Sequence, residues 1–378
     1  VFKYMLQRNT VSWNALIGGY AETENLQRCI ELFMCMEMEG VRVDDATFAP
    51  LLTLLYDAES YELTRQFHGK IMKLGLEHEN TVLNATITAY AECGCIQDAK
   101  NVFDSADGYR DLVTWNSILA AYLEHNLEEF GFNIVLEMVR QRLEMDAYTL
   151  SSIISACFGD SQQSLGKSLQ GLVIKKGLEH VTQISNALIS MYLKSNSPNV
   201  EDALKIFVHI EVRDLVSWNT ILTGLSQNGL SENALRLFQH IHLDHLVIDQ
   251  YTFAAVLRSC SDLATLQLGR QIHVLVVKSG FEGNEYVASA FIFMYSKCGI
   301  IEDARESFES SHKNSSVTWN SIIFAYAQHG QGKIALDLFY LMTERNIKLD
   351  HVTFVAAVTA CSHIGLVQEG VNLLKSME

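Results

Sequence analysis

Apolar residues recur along this chain in short stripes at helical spacing, separated by polar breaks. In the stretch 112–146, Trp115, Ile118, Leu119 and Tyr122 fall at i, i+3, i+4 and i+7, one face of a helix. A polar break follows at His125-Asn126. Phe130, Ile134, Val135 and Met138 then form a second stripe. Elsewhere the break falls at Asn228-Gly229, Cys298-Gly299 or His329-Gly330, and glycine suits a helix C-terminus. No two-residue alternation is sustained, so no sheet is predicted. The expected class is all-α, built from successive helix pairs.

The pairs repeat. VSWNALIGGY (11–20), VTWNSILAAY (113–122), VSWNTILTGL (216–225) and VTWNSIIFAY (317–326) contain all four tryptophans, Trp13, Trp115, Trp218 and Trp319. Their spacings are 102, 103 and 101 residues, and an asparagine follows each. The long period divides into three units. Units 10–44, 112–146, 215–249 and 316–350 are each 35 residues and end in Asp. Units 45–79, 147–181 and 250–284 are also 35 residues. Units 80–111, 182–214 and 285–315 have 32, 33 and 31. The tail of one pair (1–9) and the start of another (351–378) flank these ten. One pair cannot bury its stripe alone, whereas stacked pairs share one continuous core. The expected architecture is an α-solenoid superhelix of stacked helix-turn-helix repeats, in which the Trp residues pack the core.

Composition permits this. Apolar residues are 48% of the 378, and only Pro50 and Pro198 interrupt. No apolar run approaches the ~18 residues a membrane span needs, and no signal segment opens the chain. Val1 and Glu378 each fall within a pattern, so the sequence reads as a fragment whose targeting information lies upstream. The net charge of −16 argues against non-specific polyanion binding, which depends on Lys and Arg releasing counterions. Eight cysteines lack any CxxC pair and read as small packing residues in a reducing compartment. His240, His242 and His245 lack a completing ligand set, so they predict a polar surface and no metal. Asp98, Asp202 and Asp303 start second helices, where acids suit the dipole. No phosphate loop, nucleophile elbow or HxE…CxxC deaminase signature occurs. No cofactor is expected, and no enzymatic activity.

VTWNSIL, YTFAAVLRSCSDLATLQLGRQIHVLVVKSGF, NALISMY and YSKCGIIEDARESF, in this order, resemble the pentatricopeptide repeat family. The closer resemblance is to its plant subclass of alternating P, L and S units, and it covers the whole chain. VTFVAAVTACSHIGLVQEG looks like that subclass's last L unit. The resemblance implies single-stranded RNA binding in a mitochondrion or chloroplast, the mitochondrion preferred, one base per unit. Base identity is set by the fifth and last residues of a unit. In the P units these are Asn14 with Asp44, Asn116 with Asp146, Asn219 with Asp249, and Asn320 with Asp350. In the S units they are Asn84 with Asp111, Asn186 with Asp214, and Ser289 with Ser315.

In the family Asn/Asp favours uracil, then cytosine, and Ser/Ser suggests a purine. The L pairs Ala49/Glu79, Ser151/Val181 and Ala254/Asn284 are assigned no base. The second residues Val11, Val113, Val216 and Val317 are expected to flank bases. The footprint the resemblance implies is 5′-U-n-U-U-n-U-U-n-(A/G)-U-n-3′, with the N-terminus toward 5′. The last-residue Asp also stands where Asp is among the best N-caps. Members often carry Lys about eight residues beyond the code Asn. Here only Lys194 and Lys297 do so, and Glu22, Glu92 and Glu124 hold equivalent places, which implies modest affinity. The expected role is the recognition part of an organellar C-to-U editing factor. Small editing cofactor proteins would bind the L units, and the deaminase would lie in a C-terminal domain or a partner. The alternative is a protein-binding helical-repeat scaffold.

Overall fold

The computed structural model describes residues 2, 5, 7–158, 162–195, 197–243, 248–311 and 315–376, the side chains of residues 242 and 243 excepted. Among these residues there are 22 α-helices and no strand. The chain forms two compact units, one of residues 1–157 and 165–178, the other of 158–164 and 179–378.

In the first unit the leading helices of the pairs are α1 (Thr10–Ala21), α3 (Asp45–Leu52), α5 (Asn80–Glu92), α7 (Leu112–Glu124) and α9 (Ala147–Ser155). Their partners are α2 (Leu26–Met38), α4 (Tyr61–Leu74), α6 (Ile96–Ser105), α8 (Glu128–Arg140) and α10 (Gln163–Lys175). In the second unit the leading helices are α11 (Thr182–Lys194), α13 (Leu215–Gln227), α15 (Gln250–Asp262), α17 (Glu285–Lys297), α19 (Ser316–Gln328) and α21 (His351–Ile364). Their partners are α12 (Val200–His209), α14 (Ser231–Leu243), α16 (Leu266–Lys278), α18 (Ile301–Ser310), α20 (Gly332–Glu344) and α22 (Val367–Lys375). Within each unit successive leading helices lie side by side as one layer. Each partner helix except α10 packs on its own leading helix and on the next leading helix of its unit, where there is one. This is the solenoid arrangement that the stripes predicted.

Helix boundaries follow from local chemistry. Asp44, Asp111, Asp146, Asp214, Asp249 and Asp350 are N-caps of leading helices, each accepting the N–H of the residue three further on. Such a cap contributes about 1 kcal/mol. At Asp111 and Asp214 the preceding arginine closes the previous helix. Arg110 donates to the carbonyls of Phe103 and Asp104 at 2.9 and 3.0 Å. Arg213 donates to those of Phe207 and Val208 at 3.0 and 2.8 Å. An Arg-Asp dipeptide therefore satisfies the orphan carbonyls of one helix and the orphan amides of the next.

The tryptophans set the stacking. A phenylalanine from the preceding pair meets Trp115, Trp218 and Trp319 edge-on, with centroids 5.0, 4.9 and 4.9 Å apart. Phe2 does the same to Trp13 at 4.7 Å. Each buried aromatic ring contributes roughly 1.5–3 kcal/mol relative to exposure. Trp13, Trp115 and Trp319 are at most 2% exposed. Trp218 departs from the expectation and is only half-buried. At α20, close approach requires glycine: a Cβ on Gly332 would lie 2.7 Å from the Ala360 carbonyl oxygen of α21.

All eight cysteines are free. Burial pushes the Cys157 and Cys260 thiols up to about 12 and about 11, as packing residues require. No metal-binding group occurs among the described residues, and no helix among them is long and apolar enough to cross a membrane. His240 is exposed. The side chains of His242 and His245 fall outside the described residues.

Candidate nucleic-acid interface

In α1, α11, α13 and α19 the fifth residue, an asparagine, reaches along the layer to the N-terminus of the next leading helix. There the capping carboxylate waits. Asn14 Nδ2 donates to Asp44 Oδ1 at 2.8 Å, and Asn186 Nδ2 to Asp214 Oδ1 at 3.3 Å. Asn219 donates to both oxygens of Asp249 at 3.1 and 2.9 Å, and Asn320 to both of Asp350 at 3.0 and 3.2 Å. The Asn116 amide likewise favours the charged form of Asp146. Two predicted pairs are not joined. No hydrogen bond links Asn84 to Asp111 among the described residues. Ser289 Oγ turns back to the Tyr286 carbonyl at 2.9 Å, while Ser315 Oγ caps the Val317 N–H at 3.3 Å.

A hydroxyl at the third residue of the following helix completes the network. Thr47, Thr149 and Thr252, each fully buried, donate to the Oδ1 of Asn14, Asn116 and Asn219 at 2.7, 2.7 and 2.6 Å. The same hydroxyls lie 2.9, 2.7 and 2.9 Å from the capping Oδ1 of Asp44, Asp146 and Asp249. One proton serves two acceptors, so the hydroxyl can shift from amide to carboxylate when a ligand claims the amide oxygen. In contrast, Oδ1 of Asn84, Asn186 and Asn320 is buried without a partner. A buried acceptor left open in this way is a ready ligand contact.

Three of the carboxylates are held in the charged form. Burial alone would raise Asp146, Asp214 and Asp350. The N–H and hydroxyl of Thr149, Ser217 and Thr353, together with the amides of Asn116, Asn186 and Asn320, hold all three below the ordinary carboxylate range.

Apolar walls rise beside this floor. Val11, Val113, Val216 and Val317 are exposed, unusual for valine at a helix start. In the first unit Val113 and Tyr148 line a cleft of about 340 Å³ that also includes Asn116 and Asp146. Two β-branched or aromatic walls above an amide and a carboxylate match one planar base with a polar edge. Glu92 and Glu124 line the same cleft, whereas Lys194 and Lys297 are exposed in the second unit.

A profile for the PPR repeat family matches residues 8–56 and 314–363, and a PPR repeat profile matches 113–143 and 216–244. A putative pentatricopeptide repeat-containing protein of Arabidopsis thaliana is 52% identical over the whole chain. The chain belongs to the pentatricopeptide repeat family. It covers 54% of that relative. A chloroplastic family member of the same plant is 32% identical over all of the chain, which spans 46% of it. A mitochondrial one is 32% identical over 98% of the chain, which spans 43% of it. The chain thus spans about half the length of these relatives. Among solved structures, the pentatricopeptide repeat protein PPR10 from maize superposes with a TM-score of 0.62 at 18% identity. That match covers 98% of this chain and 58% of PPR10. PPR10 in complex with an 18-nucleotide psaJ RNA element gives 0.61 at 15% identity, covering 98% and 60%. These two likenesses establish a shared fold.

Within this pentatricopeptide repeat array the sequence reading missed two features. The hydroxyls of Thr47, Thr149 and Thr252 look like ordinary helix-start residues until the asparagine of the preceding helix is placed beside them. Tyr148, Tyr251 and Tyr286 are exposed at second positions, where only the valines were singled out. Their shared register was the available signal.

Proposed function

We propose that this chain binds single-stranded RNA and reads one base with each helix pair, as the recognition part of an organellar C-to-U editing factor. The observation that carries this reading is the recurring triad of asparagine amide, capping carboxylate and bridging hydroxyl beneath paired apolar walls. An Asn Nδ2–H donates to a uracil carbonyl, while the carboxylate accepts from uracil N3–H. Cytosine would instead turn its N3 lone pair toward the carboxylate. The footprint is 5′-U-n-U-U-n-U-U-n-R-U-n-3′, where R is a purine. PPR10 is a family protein whose RNA complex supports the ligand class. Chloroplastic and mitochondrial relatives support an organelle. Small editing cofactor proteins are the expected protein partners. Catalysis belongs to another domain or partner.

Fluorescence anisotropy against RNAs that vary one base at a time tests this. Replacing Asn116 and Asn219 together by Thr shifts preference at their two positions from uracil toward guanine. Unchanged selectivity would favour a protein-binding scaffold, the reading that the net charge of −16 supports.

A further inference from the structure

Four residues beyond the fifth position of each leading helix lies a second row, one turn deeper along the same face. From Gly18 to Thr223 every residue in this row is Gly, Ala, Ser or Thr. At α15 it becomes Arg258, and at α17 Phe293. This break coincides with a cavity of about 410 Å³ in the second unit, lined by Ser226, Tyr251, Arg258, Tyr286 and Phe293 among others. Tyr251 and Tyr286 are the second residues of successive leading helices, as Val113 and Tyr148 are at the cleft described above. Their rings are 54% and 48% exposed, with centroids 6.2 Å apart at 37°. Arg258 is exposed and makes no ion pair among the described residues. Ser226 is 2% exposed, yet its hydroxyl has no partner.

The usual reading pair is missing here. Ala254 stands where Asn stands elsewhere, and Asn284 is used as a helix cap, accepting from the Tyr286 and Val287 amides at 3.0 and 3.3 Å. We infer that the helix pair 250–284, assigned no base by its fifth and last residues, holds a guanine between Tyr251 and Tyr286 and reads it with Arg258. Two tyrosine faces supply stacking that grows with ring area, which favours a purine over a pyrimidine. A guanidinium fork matches the paired acceptors O6 and N7 of guanine, whereas adenine offers N7 beside a donor. To hold a base in contact on both faces, the rings need to part by about 1 Å and rotate toward parallel. The footprint becomes 5′-U-n-U-U-n-U-U-G-R-U-n-3′.

This inference rests on the one-base-per-pair reading, and the experiment separates the two. The chain is titrated with RNAs of this footprint that carry G, A, U, C, 7-deazaguanine or an abasic nucleotide at the eighth position. Guanine is expected to bind about 10-fold tighter than either pyrimidine. Removing N7 in 7-deazaguanine should abolish most of its advantage over adenine. Arg258→Lys, which keeps the charge and lacks the fork, should erase the guanine preference and the 7-deaza effect while affinity for the adenine RNA stays within twofold. Tyr286→Leu should bring purines to the level of pyrimidines without changing the melting temperature. Equal binding of all six RNAs, with uracil still preferred at the position of Asn219, overturns the guanine seat alone. Loss of base preference at both positions overturns the underlying reading as well.

Discussion

Asp44 offers a way to separate helix capping from base reading, because its two oxygens do different work. Oδ1 accepts from the Thr47 N–H at 3.1 Å, the Thr47 hydroxyl at 2.9 Å and the Asn14 amide at 2.8 Å. No bond is made by Oδ2 among the described residues, so it is the oxygen available to a base. Asp44→Asn can keep a carbonyl oxygen at the Oδ1 place and put an NH₂ at the other. Asn and Asp are comparable N-caps, so the variant should melt within about 1 °C of the parent. Its outward group now donates, which suits cytosine N3 and opposes uracil N3–H. Preference at the first footprint base should therefore move from uracil to cytosine, a swing of about 1–3 kcal/mol or about 5- to 150-fold. Asp44→Ala removes the cap as well, costs about 0.5–2 kcal/mol of stability and leaves the Asn14 amide unanchored. It should lose discrimination without acquiring a new one. Anisotropy with uracil- and cytosine-substituted RNAs gives the selectivity, and circular dichroism gives the melting. If Asp44→Asn melts like Asp44→Ala, or keeps its uracil preference, the division of labour between the two oxygens is wrong.

Thr149→Val keeps volume and removes the hydroxyl between Asn116 and Asp146; it should cost about 1–2 kcal/mol in urea denaturation, and an unchanged midpoint would refute the triad. Glu92→Lys with Glu124→Lys should tighten RNA binding and steepen its salt dependence by about 0.7 for each phosphate newly contacted; an unaltered slope would put those residues outside the RNA path. Asp146, Asp214 and Asp350 have depressed folded values, so their stabilisation is complete above the ordinary carboxylate value of about 3.9 and is lost as pH falls through the lower folded values. His68 and His273 behave differently. Burial lowers both, and each is bonded through Nδ1 to a tyrosine hydroxyl, Tyr90 at 3.0 Å and Tyr295 at 2.9 Å. The fold disfavours their protonation, so stability should decline as pH drops below about 6.5. His68→Gln with His273→Gln, copying Gln170 at the equivalent place, should flatten melting temperature between pH 7 and 5.

The fold was legible because its determinants are local. A helix pair needs only a stripe, a cap and a break, and each is written within about 35 residues. The carboxylates were legible as N-caps, and the base-reading role proposed for them would fall on the same side chains. Less could be read where the deciding contact crosses between helices with no sequence rule to mark it. Asn84 has the residue type of its fellows and still makes no bond to Asp111. The Thr47 hydroxyl matters only because Asn14, thirty-three residues earlier, lies 2.7 Å away. Arg258 is the strongest instance. By the two-residue rule its helix pair has nothing to say, since Ala254 cannot hydrogen-bond through its side chain and Asn284 is committed to a cap. What gives that pair chemistry is a deeper row that stays small through seven pairs and then changes, under two exposed tyrosines. A code taken from two positions is a summary of one cleft geometry. On the proposed reading, where the floor of the cleft changes from amide to methyl, recognition passes to the walls and to the next turn of the helix.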